Sequence, residues 1–261
     1  MPGGLYTCRK LEMVVSDNWD FYYCRVDNKP ASMYLDLDAV QVAPVEGLPT
    51  LAFIRLRMQN PLPDGLSSPE EFGTLCAVED ALNDQVAGEQ AAYVGRCTSN
   101  GFRDFFFYVA PDVDWGRVVA SCMEPFVDYV YEVGTRDDAK WSTYFNYLYP
   151  SQRDGQSIEN RRVCKALEEH GDTLKEPREI DHWLNFGNED DLCAFIDAAE
   201  RIGFQVREQA LEPDEDDRYV LQMFRTDVPG YASIDAVTLP LFDLAVANNG
   251  VYDGWESVVV Y

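Results

Sequence analysis

From Thr50 to Tyr261 the chain issues one series of local signals twice: strand, helix, strand, strand, helix, strand. Two such units in tandem predict an α+β protein of two ferredoxin-like (βαββαβ) α/β sandwich domains, each a small sheet covered on one face by helices. In the first pass, residues 50–58 read as a strand, and Ser68-Pro69-Glu70-Glu71 offers an N-cap, a first-turn proline and a capping-box glutamate. Phe72, Leu75, Cys76, Leu82 and Val86 then share one helical face, with Gly88 as the stop. Strands over 91–98 and 102–109 flank Ser99-Asn100-Gly101, a hairpin signal. A short helix over 115–123 and a strand over 126–134 complete the pass. Two aromatic-rich strands, 19–26 and 31–37, precede it and meet at Asp27-Asn28.

In the second pass, Ser157 is read as the cap of a helix that runs to His170 and stops at Gly171. A mixed strand over 177–186 leads to Asn188, the cap of a helix whose first turn is Glu189, Asp190 and Asp191, well placed against the helix dipole. Leu192, Phe195, Ile196, Ala199 and Ile202 form its buried stripe. Strands over 204–210 and 219–225 pair across an acidic loop. Ile234, Val237, Leu241, Leu244 and Ala245 mark another helix, in which Pro240 predicts a kink or a break. Residues 251–261 form the last strand. Pro150, Gly155 and polar neighbours cluster near 149–157, which sets the expected domains at 1–150 and 157–261.

Charge narrows the function. Twenty-one basic residues stand against 46 acidic ones, a net of −25 over 261 residues, spread along both halves. Phosphate contacts need Lys and Arg, so this field argues against direct nucleic-acid binding and suits a partner with a basic surface. The seven cysteines are scattered, with no C-x-x-C pair, a pattern of a reducing compartment. Residues 1–10 lack the apolar run of a signal peptide, and no stretch of about 18 apolar residues offers a membrane span. The expected location is the cytosol.

Motifs for a nucleophile elbow, a phosphate loop, a zinc protease or a dinucleotide fingerprint are missing. Of the two histidines, His170 ends a helix and His182 lies in Glu179-Ile180-Asp181-His182-Trp183 on a strand. Neighbours on a strand face opposite ways, so Asp181 does not readily serve His182 as the partner of a general base. Cys164 and Cys193, the candidate nucleophiles, lie in no electropositive setting. The run Glu212, Asp214, Glu215, Asp216 and Asp217 lacks the alternating ligands and central glycine of a calcium loop, and reads as a solvated loop or as a docking patch for a basic partner. No cofactor or metal is expected. Trp141, Tyr144 and Phe145, at i, i+3 and i+4, read as a face packed on a sheet or on the second domain.

At the last strand stands Tyr252-Asp253-Gly254-Trp255. With Ile234-Asp235-Ala236, Leu244-Ala245, Asp190-Asp191-Leu192, Ala198-Ala199 and Gly203-Phe204, it makes residues 157–261 resemble the regulator of ribonuclease E activity B family. The resemblance implies a ferredoxin-like fold and a non-catalytic protein that binds endoribonuclease E and inhibits its RNA processing. The chain departs from the family in having no acidic extension after the last strand and in carrying a preceding domain, which looks like an uncharacterised family found fused to such modules. Read from the residues, Gly254 permits a bulge, and Tyr252 and Trp255 pack on the sheet with their polar tips free to meet a partner. The candidate partner-binding residues are therefore His182, Asp214, Glu215, Asp216, Asp217, Tyr252, Asp253 and Trp255. The alternatives are a carboxylate- or metal-dependent hydrolase built on the acidic loop and His182, and an acidic nucleic-acid mimic.

Overall fold

The structure, a computed structural model, describes residues 16, 18–86, 91–210 and 212–261. Residues 1–10, with Cys8, and the expected helix stop at Gly88 lie outside them. The chain divides after Tyr149 into two compact units.

The first unit contains β1 (Trp19–Val26), β2 (Lys29–Asp36), β3 (Thr50–Arg57), α1 (Pro69–Val86), β4 (Ala91–Ser99), β5 (Phe102–Val109), α2 (Trp115–Met123) and β6 (Tyr131–Asp137). Its antiparallel sheet runs β1-β2-β4-β5-β3-β6, so the last four are a ferredoxin-like core and the β1–β2 hairpin widens it on one side. Asp27 and Asn28 make the tight turn of that hairpin with φ of 49° and 62°, and Asn100 and Gly101 do the same between β4 and β5 at 51° and 82°. Leu75, Val78, Leu82 and Val86 bury α1 against Ile54, Phe105 and Phe107. The stripe differs from the expected one because Phe72 is 49% exposed while Glu71 and Glu79 are buried. Ser68 caps the helix, but Glu71 does not close a capping box; it accepts hydrogen bonds from the Gln59 and Asn60 backbone N–H groups and the Tyr129 hydroxyl, and so holds two loops. Trp141 and Tyr144 are interior: Trp141 stacks on Tyr108 at 4.0 Å, and the Tyr144 hydroxyl donates to the Asp36 carbonyl.

The second unit contains α3 (Gln152–Glu169), β7 (Arg178–Phe186), α4 (Glu189–Arg201), β8 (Gln205–Gln209), β9 (Tyr219–Asp227), α5 (Ile234–Ala247) and β10 (Gly250–Ser257). Sheet order β10-β7-β9-β8 with every pair antiparallel is again ferredoxin-like. The cap of α3 is Ser151, which forms a capping box with Asp154; Ser157 sits inside the helix and donates to Asp235 instead. Asn188 caps α4 by accepting from the Asp191 N–H at 2.8 Å. Pro240 does not divide α5, which runs unbroken over 14 residues with the proline on its exposed side. Asp253 is extruded where the β10 register shifts between Tyr252 and Gly254, and Gly254 takes a φ of 141° that other residues avoid.

Candidate protein-docking site

Of the eight candidate residues, three are interior. His182 is 0% exposed, and Tyr252 and Trp255 are each 6% exposed. They share the face of the sheet that packs on the helices, in phase with Ile180, Leu184 and Phe186 of β7. His182 Nδ1 lies 2.8 Å from the Tyr252 hydroxyl, and the Phe204 ring meets the imidazole edge-on at 5.2 Å. Burial first, and then the charge of Arg225, hold its pKa down at about 3. Asp181 points the other way, into an ion pair with Arg207, which also reaches Glu179 at 2.6 Å. A sealed, neutral imidazole with no carboxylate beside it has no means of acting as a general base.

Trp255 joins a polar network that residue patterns did not reveal. Its indole N–H donates to Asn160 Oδ1 at 2.9 Å, which also accepts from Gln156. The Asn160 amide donates to Asp235 at 2.7 Å and to Thr238 at 2.6 Å. Helices α3 and α5 and strand β10 are thereby tied through one fully buried asparagine.

The other five candidates are at the surface, and topology adds to them. Phe186 at the end of β7 pairs with Tyr219 at the start of β9 and with Gly250 at the start of β10. The tip of the β8–β9 hairpin, the start of α4 and the start of β10 therefore lie at one end of the sheet. That end gathers Glu189, Asp190 and Asp191, the run Glu212 and 214–217, and Asp253 on its bulge, together with the guanidinium of Arg218. Arg218 bonds Asp214 at 3.1 Å and Asp216 at 2.8 Å; these two partners and the more distant charge of Asp253 raise its pKa. Asp214 shapes the tip by accepting the N–H groups of Asp216 and Arg218, which lowers its own pKa. Glu215, Asp217 and Asp253 are exposed carboxylates. Sequence reading assigned the first turn of α4 only to the helix dipole; the pairing of β7 with β9 was the signal that places it beside the acidic loop.

The helices of this unit pack on one face of its sheet. The opposite face presents Trp183 and Asn185 of β7, Phe224 of β9, over which Arg207 lies at 4.2 Å, and Val251 of β10, 61% exposed. Half-exposed rings beside a strongly acidic end make a surface with both an apolar and an electrostatic component.

Among the described residues no group of three or more His, Cys, Asp or Glu side chains is arranged to hold a metal ion. Burial pushes the Cys164 thiol up to about 11, the reverse of an activated nucleophile, and its Sγ donates to the Pro229 carbonyl. Cys193 is exposed on α4. No helix among the described residues is long and apolar enough to cross a membrane.

Comparison with known proteins gives two family matches. Residues 17–149 match a family of unknown function, DUF695, and residues 157–257 match the regulator of ribonuclease activity B, RraB. No curated protein matches the chain. Among solved structures, an unknown protein from Galdieria sulphuraria is 12% identical, with 81% of this chain and 99% of that one covered and a TM-score of 0.23. A protein assigned provisionally as a glycine cleavage system transcriptional repressor is 7% identical, with 80% and 98% covered and a TM-score of 0.21.

Proposed function

The chain belongs, through its first unit, to the DUF695 family of unknown function, and from the match of its second unit to ribonuclease regulators we propose that it is a non-catalytic regulator acting by protein–protein contact. Its target is a ribonuclease E-type endoribonuclease of the cytosol, whose RNA processing it inhibits. The observation that carries this reading is the acidic end of the second unit, where two separate acidic runs and Asp253 meet. Such a surface attracts a partner segment rich in Lys and Arg, and electrostatic steering of this kind speeds association and selects the partner. Trp183, Phe224 and Val251 on the adjoining face supply apolar contact for the same segment, and Asp214, Glu215, Asp216, Asp217 and Asp253 line its charged side. His182, Tyr252 and Trp255 serve that surface from beneath by fixing the sheet and its bulge.

The test is an RNA-cleavage assay with the purified ribonuclease E of the same host, run with and without the chain, together with surface binding. Inhibition and binding are expected, with affinity falling steeply as salt rises. Neutralising the hairpin (Asp214→Asn, Glu215→Gln, Asp216→Asn, Asp217→Asn) is expected to weaken binding by about tenfold or more, given the usual weight of charge-assisted contacts. Cleavage that is unaffected by the wild-type chain, with no binding, rules the ribonuclease reading out.

A further inference from the structure

The sheet of the first unit ends, at β6, in an open and regular edge. Strand β6 pairs with β3 through all seven of its residues, Asp137 to Tyr131 opposite Thr50 to Leu56, without a bulge. The hydrogen bonds that bracket this pairing fix which way its backbone points. The Arg57 N–H donates to the Val130 carbonyl and the Asp138 N–H to the Pro49 carbonyl. Glu132, Gly134 and Arg136, in step with those two ends, therefore turn their N–H and C=O groups to β3. Tyr131, Val133, Thr135 and Asp137 turn theirs outward, where no group among the described residues bonds them. Such a row is a template for a further strand. Val130 and Val133, 67% and 41% exposed, add apolar surface along it.

The other edges are less suited to a partner strand. In the second unit β8 is interrupted between Val206 and Glu208, and β10 between Tyr252 and Gly254; bulges of this kind guard an edge. Strand β1 pairs regularly with β2, but its two charged residues, Asp20 and Arg25, are five apart and so on opposite faces. No antiparallel pairing of β1 with itself sets one against the other. In β6, Glu132 and Arg136 are four apart, on one face, with Gly134 midway. A two-fold axis at Gly134 places Glu132 of each copy opposite Arg136 of the other, Val133 opposite Thr135, and Tyr131 opposite Asp137. In that register the outward-pointing residues meet as hydrogen-bonded pairs. Glu132 and Arg136 then fall in the non-hydrogen-bonded pairs, whose side chains are closest. Sliding one strand by two residues sets Glu132 against Gly134 or Asp138 instead.

We propose that two copies of the chain pair through β6, antiparallel about Gly134, so that their six-stranded sheets become continuous in a symmetric dimer. The interface is self-complementary, as a two-fold contact must be, and each Glu132–Arg136 pair is made twice. Both side chains are exposed, and the Arg136 guanidinium is held on its face by donating from Nη2 to Thr143 Oγ1 at 2.6 Å. The axis itself carries no side chain. The Phe53 ring lies over Gly134, where an added Cβ would be 2.5 Å from its Cζ. The inference is independent of the ribonuclease reading, which concerns the other unit.

Sedimentation equilibrium of the full chain, at concentrations up to about 0.1 mM, measures the association. A concentration-dependent dimer is expected. Glu132→Arg and Arg136→Glu each set like charges opposite one another twice across the axis, and each is expected to weaken the dimer about tenfold. The double variant, Glu132→Arg with Arg136→Glu, exchanges the charges and is expected to recover most of that loss. Val133→Pro removes an outward N–H and is expected to abolish the dimer. A chain that stays monomeric over the whole range overturns the proposal and leaves the edge to a strand of another protein. A dimer indifferent to Val133→Pro overturns it, as does a double variant no tighter than the single ones. Should Arg136→Glu fail to fold for want of its bond to Thr143, Glu132→Arg and Val133→Pro decide.

Discussion

His182 shows how a polar residue is tolerated in a core and what it costs on acidification. Its Nδ1 is occupied by Tyr252, while Nε2 is buried with no hydrogen-bond partner among the described residues. In the folded chain its pKa is about 3, below the value of 6.5 for an unburied imidazole. Above pH 6.5 both folded and unfolded chains hold a neutral ring, and the histidine has no effect on the balance. Below it the unfolded chain takes a proton that the folded one refuses, so stability falls at up to about 1.4 kcal/mol per pH unit until about pH 3. Asp172 also loses stability on acidification, but in a lower window. The N–H groups of Val260 and Leu174 and the Arg178 guanidinium hold its carboxyl below 3.8 against the opposing effect of burial, so its contribution fades only as pH falls through that range. The two are separable by His182→Phe combined with Tyr252→Phe, which removes both hydrogen-bonding groups and keeps their shapes. Urea unfolding at pH 7.5 is expected to change little. The loss between pH 6.5 and 4.5 is expected to be smaller than in the wild type, and an unchanged slope would assign the acid sensitivity elsewhere.

At the scale of elements, what could be read from sequence was whatever is decided locally. Asn100-Gly101 sets a turn through backbone sterics alone, and the strands beside it appear where expected. The ends of α2 coincide with those read from the pattern because its apolar stripe is short and its flanks are polar. Errors arise where distant contacts decide. Pro150 and Gly155 place the expected domain boundary near 149–157, with Ser157 as the helix cap. Gly155 nevertheless lies already in the first turns of α3 with open space around it, so the helix bears only its propensity cost. Asp235 then engages Ser157 from α5, 78 residues away, a contact no local pattern predicts. The interior place of His182 was legible, since it alternates in phase with Ile180, Leu184 and Phe186; the joining of α4 to the acidic hairpin required the sheet register. Pro240 is the sharpest conflict between local rule and packing. It withholds an N–H from the carbonyl of Ala236, but Val237, Leu241 and Ala245 are buried on the inner side of α5 and keep the helix whole. Pro240→Ala restores the donor at an exposed position and is expected to stabilise the chain by about 1–3 kcal/mol. A lower denaturation midpoint would instead mean that the ring or its bend is needed for the packing of α5.

At the scale of the molecule, each unit carries its own closed core. Ile54, Leu75, Phe107 and Trp115 belong to that of the first, and Leu184, Phe195, Leu221 and Leu241 to that of the second. The Asn160 network and the Asp172–Arg178 pair are likewise made within the second unit. A fragment of residues 150–261 holds this described core and polar network, and about 110 residues suffice for an independent domain. It is expected to unfold in a single cooperative transition in urea, monitored by circular dichroism. It also retains the whole acidic end, so it is expected to bind the ribonuclease with the salt dependence of the full chain, since screening acts on the charges near the contact and reaches only about 10 Å at 0.1 M salt. A fragment that stays unfolded would show that the second core needs the first. One that folds but fails to bind, beside a full chain that does bind, would move the docking surface to the DUF695 unit. Retained binding would leave that unit free for a different task.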